Sequence, residues 1–166
     1  MRAFFFPLLL VLSAGLAHAD AYTDVNHLIG TKQFPEALAS VEKHLAAKPR
    51  DPQMRFLKGV IQGETDHTAE ALETFSKITE DYPELPEPYN NIAVLHARQN
   101  QLVPALAALE MAVRINPAYA AAQENLGDIY ARLAEQAYAK SLQLNPGNAG
   151  LAPKLALVQQ LQAATP

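Results

Sequence analysis

The chain has 166 residues, of which 49% are hydrophobic and 18% charged, with no cysteine, no tryptophan and a formal net charge of −4. That length supports one domain with a real core, and without cysteine the fold must be held by packing alone. A mildly acidic chain with dispersed Lys and Arg is a poor match for phosphate backbones or anionic lipid, so nucleic-acid binding and polybasic membrane docking are set aside.

Residues 1–19, "MRAFFFPLLLVLSAGLAHA", carry one positive charge at Arg2, an apolar run from Ala3 to Leu12, and a small-x-small ending at Ala17-His18-Ala19. This reads as a secretory signal peptide cleaved before Asp20. The alternative is an uncleaved anchor, but the run is short for a membrane span and contains Pro7. Cleavage removes Arg2 and no acid, so the remaining chain is one charge more negative. No stable membrane insertion is expected after it.

Ala and Leu are abundant and β-branched residues form no alternating runs, which favours helices. Helices are predicted over 22–31, 34–47, 52–65, 68–81, 86–99, 102–115, 120–144 and 151–163. A fixed stride organises them. Pro49, Pro83 and Pro117 are 34 apart, as are Ala37, Ala71 and Ala105, then Gly59, Ala93 and Gly127, then Val41, Phe75 and Leu109. Each column has a physical role in a repeated helix pair. The glycine column lets a second helix cross closely, and the alanine column supplies the small residue opposite. The Val/Phe/Leu column fills the space between them, and the prolines stop the second helix.

These columns resemble the tetratricopeptide repeat (TPR), a helix–turn–helix unit. The third unit matches best, with Tyr89, Ile92, Ala93, Ala105, Leu109, Ala112 and Pro117 at signature positions. The resemblance implies an all-α, right-handed solenoid of about three and a half hairpins. The repeats run approximately 20–51, 52–85, 86–119 and 120–146, followed by a capping helix and tail over 147–166.

The fourth unit lacks its elbow. Gly127 keeps the frame, but Pro146 arrives five residues early, and "ARLAEQA" contains no Gly, Pro or Asn. The expectation is one continuous helix over 120–144, about 36 Å long at about 1.5 Å per residue; a kinked hairpin is the alternative. Leu126, Tyr130, Leu133, Ala137 and Leu144 would form its buried stripe. A last helix would then close the stack through Leu151, Leu155, Val158 and Leu161.

No catalytic constellation is found. The histidines His18, His27, His44, His67 and His96 show no metal-ligand spacing, and there is no nucleophile elbow or phosphate loop. His67 reads as a solvated turn residue and His96 as a core-edge residue. The protein is expected to be no enzyme and to hold no cofactor or metal.

Binding remains. In the family, the inner face of the first helix of each hairpin forms a concave groove. Position by position, the resemblance implies Tyr22, Asn26 and Ile29 in the first unit, and Gln53, Phe56, Val60 and Gly63 in the second. It implies Glu87, Asn90, Val94, Ala97 and Arg98 in the third, and Glu124, Asp128, Ala131 and Arg132 in the fourth. The middle would be apolar and the C-terminal end acidic, with Asn26 and Asn90 offered to a peptide backbone. The expected role is an exported scaffold, most simply periplasmic, that binds a segment of another envelope protein. The alternatives are an accessory subunit of an envelope enzyme, for example one acting on peptidoglycan, and a weak homo-oligomer joined through the long helix.

Overall fold

In a computed structural model that describes residues 13–163, eight helices follow one another, and no strand is present among the described residues. They are α1 (Ser13–Gly30), α2 (Phe34–Ala47), α3 (Pro52–Glu64), α4 (Thr68–Asp81), α5 (Pro86–Arg98), α6 (Leu102–Ile115), α7 (Ala120–Leu144) and α8 (Leu151–Ala163). The expected starts and ends hold to within a residue or so, except that α1 begins at Ser13 and not at 22. Residues 13–21 contain four alanines and no proline, so nothing stops the helix from propagating backwards. The first twelve residues of the expected leader lie outside the described residues.

Each hairpin turns on one backbone device. Lys32, Asp66 and Asn100, again 34 apart, have φ of 58°, 61° and 58°. The amide just after each left-handed residue, three places past the helix, reaches back five residues to a carbonyl of the last turn. Gln33 N–H donates to Leu28 O, His67 N–H to Gln62 O, and Gln101 N–H to His96 O, at 2.8–2.9 Å. This Schellman closure satisfies carbonyls that a helix end leaves open. Asp and Asn tolerate the left-handed region, whereas Lys does so at a cost. The fourth member of the column is Ala134, which stays helical within α7.

The packing columns behave as their spacing requires. Ala37, Ala71 and Ala105 are fully buried, Val41, Phe75 and Leu109 nearly so, and Val25 fills the glycine position of the first unit. A Cβ on Gly59 would stand 2.7 Å from the Phe75 ring, which is why that helix crossing needs glycine. Gly127 is a correction. It is exposed, and a Cβ there would meet nothing within 4 Å. The column is small because a returning helix presses on it, and the fourth unit has none.

Because α7 runs unbroken for 25 residues, its second half cannot fold back on its first. The expected apolar stripe therefore splits between two faces. Leu126 and Leu133 join the cluster of Leu102, Leu109, Ala122 and Ile129 between α6 and α7. Tyr130 and Leu144 remain 50% and 74% exposed. The second half packs against α8, where Glu135 meets Gln159 and Gln162 and Tyr138 meets Lys154, and Ala131, Glu135, Tyr138 and Leu142 are half-buried. Aligned on Pro117 and Pro146, these are the counterparts of Leu102, Leu106, Leu109 and Val113, the residues by which α6 receives α7. The solenoid thus continues past the missing elbow, and the contact that is lost is the one inside the hairpin.

The closing helix is also rotated from expectation. Leu151 is buried and Leu155 and Val158 are half-buried, but Leu161 is 60% exposed. At about 100° per residue, position 162 returns to the line of Leu151 and position 161 falls well to its side. Gln162 takes that place, and with Gln159 it donates to the two carboxylate oxygens of Glu135, each at 3.0 Å.

Candidate functional site

The inner face is built from α1, α3, α5 and α7. Pro52 and Pro86 open α3 and α5, where a missing N–H costs nothing. The ends of these helices are tied together in register. Arg98 donates to Gly63 O at 3.2 Å and to Glu64 at 3.1 Å. One repeat later, Arg132 donates to Ala97 O at 3.1 Å and to Asn100 Oδ1 at 3.0 Å. Both guanidinium groups satisfy carbonyls at the negative end of the preceding inner helix.

Of the residues expected in a groove, Val94, Ala97, Arg98, Asp128 and Arg132 share one cleft of about 360 Å³ between α5 and α7. Ala93, Ala97, Leu109 and Ile129 give it apolar walls, and Gln162 at the end of α8 closes one side. Asp128 is half-buried there and makes no hydrogen bond or ion pair among the described residues. Phe56 belongs to a separate hollow of about 420 Å³ with Gln53, Leu85, Glu87 and Pro88. Its ring packs 5.4 Å from that of Phe75, so much of it is core. Val60 packs on the same cluster and lines a small recess with Val94.

The polar candidates are placed differently from a peptide-binding row. Asn90 is buried, and its Oδ1 accepts from Asn125 Nδ2 at 2.8 Å, which ties α5 to α7. Asn26 donates to Tyr22 O at 2.8 Å along its own helix. Glu124 is exposed and does not line the cleft.

Tyr22 is held in a network that sequence reasoning missed. Its hydroxyl donates to Asp51 Oδ2 at 2.5 Å, and His44 Nε2 lies 2.9 Å from the same oxygen. Asp51 Oδ1 accepts from Met54 N–H at 3.0 Å and so caps α3. The hydrogen bond to Asp51, with burial and the carboxylate charge, pushes the Tyr22 hydroxyl up to about 12. Burial pushes the Asp51 carboxyl up, but the bonds from Tyr22, Met54 N–H and His44 outweigh it, and the carboxyl sits below its ordinary value. A signal was present: His44 shares a column with Ile78 and Ala112, both fully buried, and a histidine in that place demands a polar partner. Elsewhere, Tyr119 is pushed up by burial and by the charge of Glu87.

No family model matches the chain. Over 79 residues it is 34% identical to the tetratricopeptide repeat domain-containing protein PYG7, chloroplastic, of Arabidopsis thaliana. That stretch is 45% of this chain and 26% of the plant protein, so the chain spans about a quarter of that relative. Among solved structures it is similar to TTC0263, a thermophilic TPR protein of Thermus thermophilus (TM-score 0.63, 20% identity, 86% of this chain and 98% of that one). It is similar also to the Sgt2 TPR domain of Aspergillus fumigatus (0.65, 14%, 71% and 80%). The Yersinia enterocolitica type III secretion chaperone SycD, solved with a peptide of the translocator YopD, gives 0.62 at 11% identity over 70% of this chain and 94% of that one. At such identities the structural likeness concerns the fold. Taken with the 34-residue columns, the left-handed elbows at the same stride and the matched stretch of the plant protein, it makes the chain a tetratricopeptide-repeat protein.

Proposed function

We propose that the chain is an exported, non-enzymatic interaction scaffold that holds a segment of another envelope protein in the α5–α7 cleft. The observation that carries this reading is Asp128, a half-buried carboxylate with no partner among the described residues, beside walls of Ala93, Val94, Leu109 and Ile129. Such a cleft suits an apolar side chain followed by Lys or Arg. Burial of the apolar side chain supplies affinity, and the carboxylate sets orientation. Export rests on the expected leader, and the binding of a peptide finds a parallel in SycD, solved in complex with a peptide of YopD.

A photo-crosslinking side chain at Val94, expressed in the native cell, should capture one protein in the envelope fraction. The same probe at Ala39, on the outer helix α2, should not. Asp128→Asn should weaken that capture about tenfold or more, as loss of a charged hydrogen bond implies. Equal capture from both positions, or recovery of the chain in the cytosol alone, would overturn the reading.

A further inference from the structure

Among the described residues, much of the face of α7 turned away from the cleft is uncovered, although Ala134 and Ser141 on it are half-buried. Gln123, Gly127, Tyr130, Ala134, Ala137, Ser141 and Leu144 recur every three or four residues along one side, about 200° around the helix from Asp128. Tyr130 and Leu144 are 50% and 74% exposed, and nothing lies within 4 Å of a Cβ built on Gly127. This stripe is the two halves of one hairpin interface laid end to end. Gly127 and Tyr130 match Ala93 and His96, by which a first helix meets its second. On the alignment of Pro146 with Pro117, Ala134, Ala137 and Ser141 match Ala105, Ala108 and Ala112, by which the second helix meets the first.

We infer that this face binds a second copy of the chain, α7 against α7 and antiparallel, with a two-fold axis at Arg132. Residues equally distant from Arg132 then face one another. Gly127 meets Ala137 of the second copy, Tyr130 meets its Ala134, and Gln123 meets its Ser141. Each copy supplies the contact that the deleted elbow denies to the other, which is the logic of an exchanged element when a hinge is too short to fold back. The small residues let the helices approach closely. Charge agrees. Lys140, exposed and without an ion pair among the described residues, leaves α7 on the flank that packs on α6. In the pair that flank meets its own equivalent, where Glu110 has only a 3.5 Å hydrogen bond from Tyr130. The footprint of one helix face is a few hundred Å² per copy, short of the roughly 800 Å² of a standard stable interface, so the pair is weak and concentration-dependent.

The chain has no cysteine, so thiol probes report single positions. Light scattering on the full chain, from about 10 µM to about 1 mM, should show the mass rising from one copy toward two. A mixture of Gly127→Cys and Ala137→Cys proteins should crosslink through a short thiol reagent at least tenfold faster than Ala137→Cys mixed with Ala39→Cys. Lys140→Glu should weaken association, and Lys140→Glu combined with Glu110→Lys should restore it. A single-copy mass at every concentration would overturn the inference, as would crosslinking no faster than in the control mixture. All of these positions are exposed, so loss of folding is not expected to obscure the result, and circular dichroism of each variant checks it.

Discussion

Gly59 and Gly127 occupy equivalent places in the repeat, yet alanine should act on them with opposite sign. At Gly59 the added methyl meets the Phe75 ring, and the overpacking should cost about 1–3 kcal/mol. At Gly127 the methyl meets open space within a helix, so the gain in helix propensity should stabilise by about 0.5–1 kcal/mol. Urea unfolding of the two variants measures both. The Tyr22–Asp51–His44 network makes a second prediction. The Asp51 carboxyl is depressed on folding, so its stabilising contribution is full above its unfolded value and fades as pH falls through the folded one. The Tyr22 hydroxyl is raised, so its contribution is full below about 10 and fades as pH rises through about 12. Asp51→Asn should flatten the acid limb of a stability–pH curve, and loss of the cap should lower stability by about 0.5–2 kcal/mol at neutral pH.

At the level of the helix, α7 decides the form of the C-terminal half. In the third unit a proline, Pro104, sits at the start of the returning helix. In the fourth, Ala134→Pro falls within a continuous helix, removes a backbone hydrogen bond and should cost about 3 kcal/mol or more, read from thermal unfolding. Near-neutral behaviour would mean that the backbone turns there. The unbroken helix was legible because "ARLAEQA" offers no residue suited to a left-handed elbow, where the third unit offers Asn100. Its exposed face was not legible. Tyr130 and Leu133 are both apolar and adjacent in the pattern, and only the positions of α6 and α8 show which of them is covered.

Across the whole molecule, packing was legible where burial repeats and the site was not where side chains meet between repeats. Ala105 could be placed in the core from its column alone, and Ala105→Glu should unfold the third hairpin at a cost of several kcal/mol, seen as a lost melting transition. Asn90, by contrast, looked like a groove residue until Asn125 on the next inner helix was found to hold it. Tyr22 looked equally open, although Asp51 lies 29 residues away in sequence. A stride locates a residue on its helix; it says nothing of which neighbour's side chain will reach it.

The two arginines that cross from one inner helix to the tail of the one before have a mechanical corollary. Arg98 and Arg132 pin one rim of the concave face; among the described residues the opposite rim is tied near the N-terminus, by Tyr22 to Asp51 and Tyr82 to Arg50 O, and between α5 and α7 only by the mid-helix Asn125–Asn90 bond. In the C-terminal half, breathing of the solenoid is therefore asymmetric, like a book that opens away from its spine. A bound segment would be gripped deepest along the stitched edge and would leave by the loose one.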